Sequence, residues 1–402
     1  MMRIELYSRT EGDAVMKMNS SRRDFLSAGV AVPVAGLWSL ADMRQPEAQA
    51  SAAVLALKLQ YRLLGNTGLK VTTVGFGCMI TSDPTVIERA ADLGVGYFDT
   101  ARGYQGGNNE RMVGGALKRK RKDVVLSTKS GAGSKEGALR DLETSLRELG
   151  TDYVDIWYLH GKDALSEVHD ELIEAQQAAK QQGKIRFAGV STHEPRLLIP
   201  FLIEKRAIDV VLVTYNFTMD KSMDAAIEQA NKAGMGVVGM KVMAGGFRKT
   251  KQSDPLYSKL KTEGTMLAAL KWVIRNPHVQ TTVPSMTDMD QLDENLRAMK
   301  EPFATGDEKL LARQLDFITP LYCRMCGKCK GTCAQGLPVA SILRHLTYVD
   351  GYGQYALGRD EFLKLGPVVA SARCGDCKSC TVHCPYGVQV SSRMTRAQEL
   401  FA

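Results

Sequence analysis

From about residue 60 the chain alternates two hydrophobic rhythms. Short apolar and β-branched runs with strand character are VTTVGFGCM (71–79), GYFDTA (96–101), DVVLSTKS (123–130) and YVDIWYLHG (153–161). Four more follow: IRFAGVST (185–192), VVLVTYNF (210–217), GVVGMKVM (236–243) and TTVPSM (281–286). Between them, apolar residues recur every three or four positions, as in TVIERAADLG, EGALRDLETSLRELG and AAIEQANKAG. The last two close on Gly, which ends helices by taking the left-handed conformation. Eight strands, each followed by a helix, predict an α/β fold with a (β/α)8 TIM barrel over residues 60–300. A doubly wound sheet is the alternative, but no GxGxxG is present. GAGSKEG (131–137) has the wrong last spacing and reads as a plain loop. DQLDENLRAM ends the barrel pattern near residue 300. EPFATGD opens a linker helix over 301–317, and 318–402 forms a second, smaller, mainly helical unit.

Composition changes this picture little. Hydrophobic residues make 44% and charged ones 24%, ordinary for a soluble domain. The net charge of +8 is dispersed apart from KRKRK at 118–122, a solvated helix end, so no nucleic-acid partner is expected. The N-terminus changes it more. Arg22 and Arg23 precede SAGVAVPVAGLWSLA and then Ala48-Gln49-Ala50. This three-part layout over residues 1–50 resembles a twin-arginine export signal, implying a periplasmic or other extracytoplasmic protein. The apolar segment is short and interrupted by Pro33, so no stable membrane span is expected unless the signal stays uncleaved.

Barrels of this kind place chemistry at the C-terminal ends of their strands. Those positions supply Asp99 and Tyr104 (FDTARGY), Lys129 (STKS) and His160 (YLHG) from three consecutive strands. The set suits carbonyl reduction. A tyrosine hydroxyl can protonate the oxygen that gains charge as hydride reaches carbon. Its ordinary pKa near ~10 is high for that work, and an adjacent ammonium held by a carboxylate is expected to lower it. A neutral His160 can orient and polarise the carbonyl.

Around these residues the chain resembles the aldo-keto reductase family. The resemblance spans about 60–300, through YRLLGNTGLKVTTVGFG, FDTARGYQGGNNERMVGGALK, STK, YVDIWYLHG, GVSTHE, YN and VPSMTDMDQLDEN. It implies that Tyr104 is the proton donor, with Asp99, Lys129 and His160 as partners, and that NADP(H) or NAD(H) binds over the barrel mouth. By the same resemblance Ser191 holds the carboxamide, Gly245 and Gly246 approach the pyrophosphate, and Ser285, Glu294 and Asn295 meet the adenosine end. The chain departs from the family pattern at Leu212, where Gln is common, at Met240, where an aromatic stacks on the ring, and at Gln291, where an Arg meets the 2′-phosphate.

Eight of nine cysteines lie in the last 85 residues. Cys323, Cys326, Cys329 and Cys333 form CxxCxxCxxxC, and Cys374, Cys377, Cys380 and Cys384 repeat it with Pro385 completing the bacterial ferredoxin pattern. Three thiolates of a run wrap one cluster, and the fourth reaches the other. The spacing therefore assigns Cys323, Cys326, Cys329 and Cys384 to one [4Fe–4S] cluster, and Cys374, Cys377, Cys380 and Cys333 to a second. Zinc favours separated CxxC pairs, leaving the third cysteine superfluous. Disulfides are the alternative that export invites. Cys78, in the first strand, reads as a small buried apolar residue.

Taken together, the sequence predicts an exported oxidoreductase. It would move hydride between a nicotinamide and a small carbonyl or alcohol, with two clusters exchanging electrons with a redox partner protein. The alternative is a non-catalytic electron-transfer protein that keeps the barrel as scaffold.

Overall fold

The first strand candidate divides in two. In the computed structural model, which describes residues 59–247 and 264–402, Lys70–Thr72 (β2) pairs antiparallel with Tyr61–Leu63 (β1), and only Phe76–Gly77 (β3) enters the barrel. The segment read as an export signal lies outside the described residues. So does most of the loop after residue 247.

The remaining barrel strands are β4 (Tyr97–Asp99), β5 (Val125–Ser130), β6 (Val154–Leu159), β7 (Ile185–Thr192), β8 (Val210–Thr214), β9 (Gly236–Met240) and β10 (Thr281–Thr282). Each pairs in parallel with the next in chain order, from β3 to β10. The ring closes through Gly75, whose N–H donates to the Thr282 carbonyl at 2.8 Å, and Gly77, which donates to the Pro284 carbonyl at 2.9 Å. A Cβ on Gly77 would stand 2.5 Å from the Val283 carbonyl oxygen, so closure needs glycine there.

Side chains alternate as the period of two requires. Ile156 and Tyr158 of β6 point inward to meet Leu64, Tyr97, Val210 and Val238, while Trp157 and Leu159 point outward beneath the helices. Inside, the hydroxyls of Tyr97 and Tyr158 bond each other at 2.8 Å, which satisfies two polar groups that burial would otherwise strand. The β1–β2 hairpin contributes Leu69 and Val71 to this plug.

The outer ring comprises α1 (Pro84–Asp92), α2 (Asn108–Leu117), α3 (Lys135–Leu149), α4 (Asp170–Gln181), α5 (Pro195–Lys205), α6 (Lys221–Lys232), α7 (Thr265–Ile274) and α8 (Met289–Arg297). Helix α3 shows how locally this is encoded. Ser134 caps its start by accepting the Gly137 N–H, Gly150 ends it at φ +65°, and Ala138, Leu142, Leu146 and Leu149 form its buried stripe.

Helix α9 (Thr305–Ile318) packs Leu311 against Ala268 and Ala269 of α7. Beyond it stand α10 (Val339–Asp350), α11 (Tyr355–Leu363), α12 (Pro367–Ser371) and α13 (Val390–Phe401). They have a core of their own, including Ile342, Leu346, Phe362, Met394 and Phe401, with Cys323, Cys333, Cys374, Cys380 and Cys384 packed against it. This region is fastened to the barrel. Lys328 pairs with Asp220 at 2.7 Å, Arg196 donates to the Cys326 carbonyl at 3.2 Å, and Arg344 pairs with Asp163 at 2.9 Å. Among the described residues no helix is long and apolar enough to cross a membrane.

Candidate active site

Strand register brings the quartet together. β4 ends on Asp99, β5 carries Lys129, and His160 follows β6, so three neighbouring strands present their ends at one mouth. Tyr104 begins the short turn after β4. Lys129 is fully buried, and its ammonium donates to Asp99 Oδ2 at 2.5 Å, to the Thr100 carbonyl at 2.7 Å and to the Tyr104 hydroxyl at 3.2 Å. The other carboxylate oxygen of Asp99 accepts the Ser127 hydroxyl at 2.7 Å. The rings of Tyr104 and His160 meet edge to face, 5.7 Å between centroids. All four quartet residues line one cavity of about 580 Å³.

The electrostatics of this floor differ in one respect from the expectation. Burial, followed by the charge of Asp99, holds the Tyr104 phenol well above its usual range, although Lys129 stands 3.2 Å from its hydroxyl. Burial also lowers the Lys129 ammonium, an effect that Asp99 opposes by charge and hydrogen bond. His160 is pushed well below its ordinary value by burial and then by Lys129, so its imidazole is neutral at physiological pH. The site therefore presents a protonated phenol beside a neutral imidazole.

The residues expected to hold a nicotinamide divide. Ser191, Gly246 and Ser285 line the cavity, as do Leu212, Met240 and Gln291. Ser191 Oγ accepts the Gly161 N–H at 2.8 Å and donates to the Leu159 carbonyl at 3.5 Å. The Gln291 amide is already engaged with Thr287 at 2.8 Å and Asp288 at 2.5 Å. Gly245 does not line the cavity. It sits at φ +89° against α10, and a Cβ on Gly351 would stand 1.9 Å from its carbonyl oxygen. Glu294 and Asn295 lie further along α8, outside the cavity lining. Asn295 is fully buried with neither amide atom hydrogen-bonded, so its amide can still accept and donate to a polar group. The donor set and the cavity fit a nicotinamide dinucleotide.

Sequence reasoning missed the roof. Arg344, Tyr348, Tyr352, Glu361 and Lys364 from the C-terminal helices line the same cavity, together with Lys241 just past β9. Lys241 could have been found by reading one residue beyond a strand end. The roof residues carry no signal of that kind, because their place depends on how two units dock.

The thiols fall into two neighbourhoods. Cys323, whose thiol burial pushes up to about 12, is next influenced by the Met325 N–H and then by Cys329, Cys326 and Cys384. Cys374 is raised by burial and then by Cys333, Cys380 and Cys377. The two runs touch through paired backbone bonds between Lys330 and His383, both 2.9 Å. All nine cysteines are free. Among the described residues no group of three or more His, Cys, Asp or Glu side chains is arranged to hold a metal ion, so these thiols are neighbours rather than a closed ligand set. Cys78 is buried in the barrel wall, its thiol raised by burial.

Comparison with known proteins agrees with the geometry of the barrel. The sequence model of the aldo/keto reductase family matches residues 82–312, ending before the first cysteine of the C-terminal unit. L-galactose dehydrogenase of Arabidopsis thaliana is 28% identical over 307 residues, 66% of this chain and 96% of its own. An uncharacterized oxidoreductase of Bacillus subtilis is 25% identical over 291 residues, 62% of this chain and 94% of its own. The holo form of an aldo-keto reductase from Bacillus halodurans superposes with a TM-score of 0.55 at 28% identity, covering 63% of this chain and 96% of that one. With more than half of its length matched and a lysine-linked tyrosine at the mouth of its barrel, this chain belongs to the aldo/keto reductase family of oxidoreductases.

Proposed function

We propose that the protein is an exported oxidoreductase that interconverts a small carbonyl compound and its alcohol with NADP(H) or NAD(H). The observation that carries this reading is the Lys129 ammonium set between Asp99 and the Tyr104 hydroxyl on the cavity floor. Ser191, Gly246 and Ser285 would hold the nicotinamide cofactor within the cavity, with Glu294 and Asn295 toward the adenosine. When bound, the cofactor supplies the hydride that reaches the carbonyl carbon.

The chain's own residues govern the proton. Tyr104 keeps its phenolic proton at neutral pH and donates it to the carbonyl oxygen as charge develops there. The phenolate left behind is stabilised by Lys129, 3.2 Å away, which Asp99 keeps charged against burial. His160, neutral and edge-on to Tyr104, orients the oxygen without competing as an acid. In the alcohol-to-carbonyl direction the same phenolate takes the proton back.

In this reading Arg22 and Arg23 direct export of the folded protein. Cys323, Cys326, Cys329 and Cys384 would hold one [4Fe–4S] cluster, and Cys333, Cys374, Cys377 and Cys380 a second. What supports this is the repeated spacing and the grouping of the thiols into those same fours. Clusters held by these cysteines would supply one-electron exchange with a redox partner protein.

The test is reduction of 4-nitrobenzaldehyde by NADPH or NADH, following nicotinamide absorbance with anaerobically purified protein. Tyr104→Phe should lower kcat about 10²- to 10⁴-fold while cofactor affinity stays near wild type. Undiminished turnover in that variant, or no affinity for either nicotinamide, refutes the reading and leaves the barrel a scaffold.

A further inference from the structure

Among the described residues, one ammonium in the cavity wall is answered by no carboxylate. Arg102 pairs with Glu110, Lys129 with Asp99, Arg344 with Asp163, and Lys364 with Glu361. Lys241 also lines the cavity, yet among the described residues its contacts are aromatic. It donates to the Tyr348 hydroxyl at 3.2 Å and stands 4.7 Å from the Tyr348 ring centroid and 5.9 Å from that of Tyr352. The two rings stack at 5.6 Å, forming an apolar panel beneath the charge.

Lys241 is held there by a strained backbone. Its φ of +54° is in the left-handed region, where a Cβ crowds the following carbonyl oxygen. Strain of this kind is retained where a side chain must be aimed.

A second cation faces the same space. Arg344 enters from α10 and is anchored by Nη1 to Asp163 and His193, both at 2.9 Å, while its buried Nε has no partner. The charges of Lys241 and Arg344 are felt by His193 and His345, which burial and then these cations hold below their ordinary range. This side of the cavity therefore has an ammonium with N–H groups to spare and a second cation behind it.

We propose that Lys241 and Arg344, backed by Tyr348 and Tyr352, form an anion subsite that selects carbonyl substrates bearing a carboxylate. The inference rests on the carbonyl-reductase reading of the same cavity. A carboxylate would accept from the Lys241 ammonium in the field of the nearby Arg344 guanidinium, and an apolar substrate body would lie on the tyrosine panel. The phosphates of a nicotinamide share this chemistry, but the position of Arg344 favours the substrate. Its anchors, Asp163 and His193, follow β6 and β7 beside His160. Ser285 and Gln291 follow β10, which lies four strands from β6 and three from β7 around the ring, on the far side of the barrel. Two of the four residues also belong to helix α10, beyond the segment matched by the family model.

The experiment is equilibrium binding to the full-length protein of 4-carboxybenzaldehyde and of its uncharged counterpart 4-formylbenzamide. Affinity for NADPH is measured in parallel. Wild type should bind the carboxylate at least about tenfold more tightly, as one charge-assisted hydrogen bond requires. Lys241→Met should bring that ratio close to one with NADPH affinity kept. Tyr348→Phe, which keeps the ring and removes the hydroxyl, should reduce the ratio less. A wild-type ratio near one, or failure to bind either aldehyde, overturns the proposal. So does a Lys241→Met variant that loses NADPH affinity but keeps the ratio, which would assign the ammonium to cofactor phosphate. The two readings separate cleanly. If both aldehydes are reduced with equal affinity, only the anion subsite falls. A carboxylate preference that depends on Lys241, without any reduction, refutes the reductase reading alone.

Discussion

Arg344 donates to Asp163 at 2.9 Å and thereby fixes a helix of the C-terminal unit to the loop that follows His160. Asp163 also accepts the His193 backbone N–H at 2.7 Å and lies 2.9 Å from its ring Nδ1. Burial opposes ionisation of this carboxyl, but the His193 contacts and the Arg344 charge outweigh it and hold it well below the usual carboxylate range. One carboxylate thus joins the ends of two barrel strands to the roof above them. The C-terminal unit is part of the active-site wall and not an appendage.

Asp163→Asn should therefore loosen the roof before it harms the barrel. Breaking a well-buried pair costs about 3–5 kcal/mol, and partial solvent access here reduces this to roughly 1–2 kcal/mol. Hydrogen exchange should accelerate in Val339–Asp350 while β5 to β8 stay protected. Equal acceleration in helix and barrel would mean that the two unfold as one, and that Asp163 is not the tie.

The proton chemistry has a distinct pH signature. Tyr104 is held above, and His160 below, their ordinary values, so neither changes charge between about pH 6 and pH 8. The rate of carbonyl reduction should be level across that interval. Lys129→Met should lower it about 10²-fold or more by leaving Asp99 charged and Tyr104 without a cation. A pronounced fall in rate as pH rises through the interval would show that His160 must be protonated, contrary to proton donation by Tyr104 beside a neutral imidazole.

Much of this is legible in the sequence because barrel chemistry follows strand ends. Asp99, Lys129 and His160 can be placed by period and position alone, and Tyr104 by its distance from β4. The first strand misleads because VTTVGFGCM is continuous in hydrophobicity, while only its 75–77 stretch, where glycines permit close backbone approach, joins the ring. The expectation of a pyrophosphate contact at Gly245 follows from the family resemblance, whereas its neighbour in space is Gly351, more than 100 residues later. Arg344 and Tyr348 are beyond such reasoning for the same cause. Their function depends on docking, and no local period encodes which helix will lie over which mouth.

Acid should weaken the roof through His345. Its imidazole is buried, with Nδ1 unpartnered, and burial followed by the charges of Arg344 and Lys241 pushes it down to about 3. Because the folded value is depressed, the unfolded chain takes up a proton first as pH falls below about 6.5. His345 thus favours folding fully above that pH, and its contribution declines toward about pH 3. His193, held down to about 4, acts with the same sign. His345→Gln should flatten the fall in urea midpoint between pH 7 and pH 4.5. An unchanged slope would mean that other groups carry the acid sensitivity.

The cysteines offer the sharpest division between alternatives. A Cβ on Gly331 would stand 2.0 Å from the Thr381 carbonyl oxygen, and the Thr381 hydroxyl donates to the Thr332 carbonyl at 2.6 Å. Together with the Lys330–His383 ladder, these contacts press one run's end against the other's, so each fourth cysteine lies with the opposite run. If each quartet holds a four-iron cluster, anaerobically purified protein should contain about eight irons per chain. Cys384→Ser should then deplete the cluster of Cys323, Cys326 and Cys329, leaving about four irons and the spectrum of the other. Cys333→Ser should do the reverse. Were the runs independent, Cys384→Ser would instead remove the cluster of its own run, Cys374 to Cys380, and paramagnetic resonance of the reduced variants would distinguish the two losses. Protein without iron, and with its thiols blocked until reductant is added, would point to disulfides and end the electron-transfer part of the proposed function.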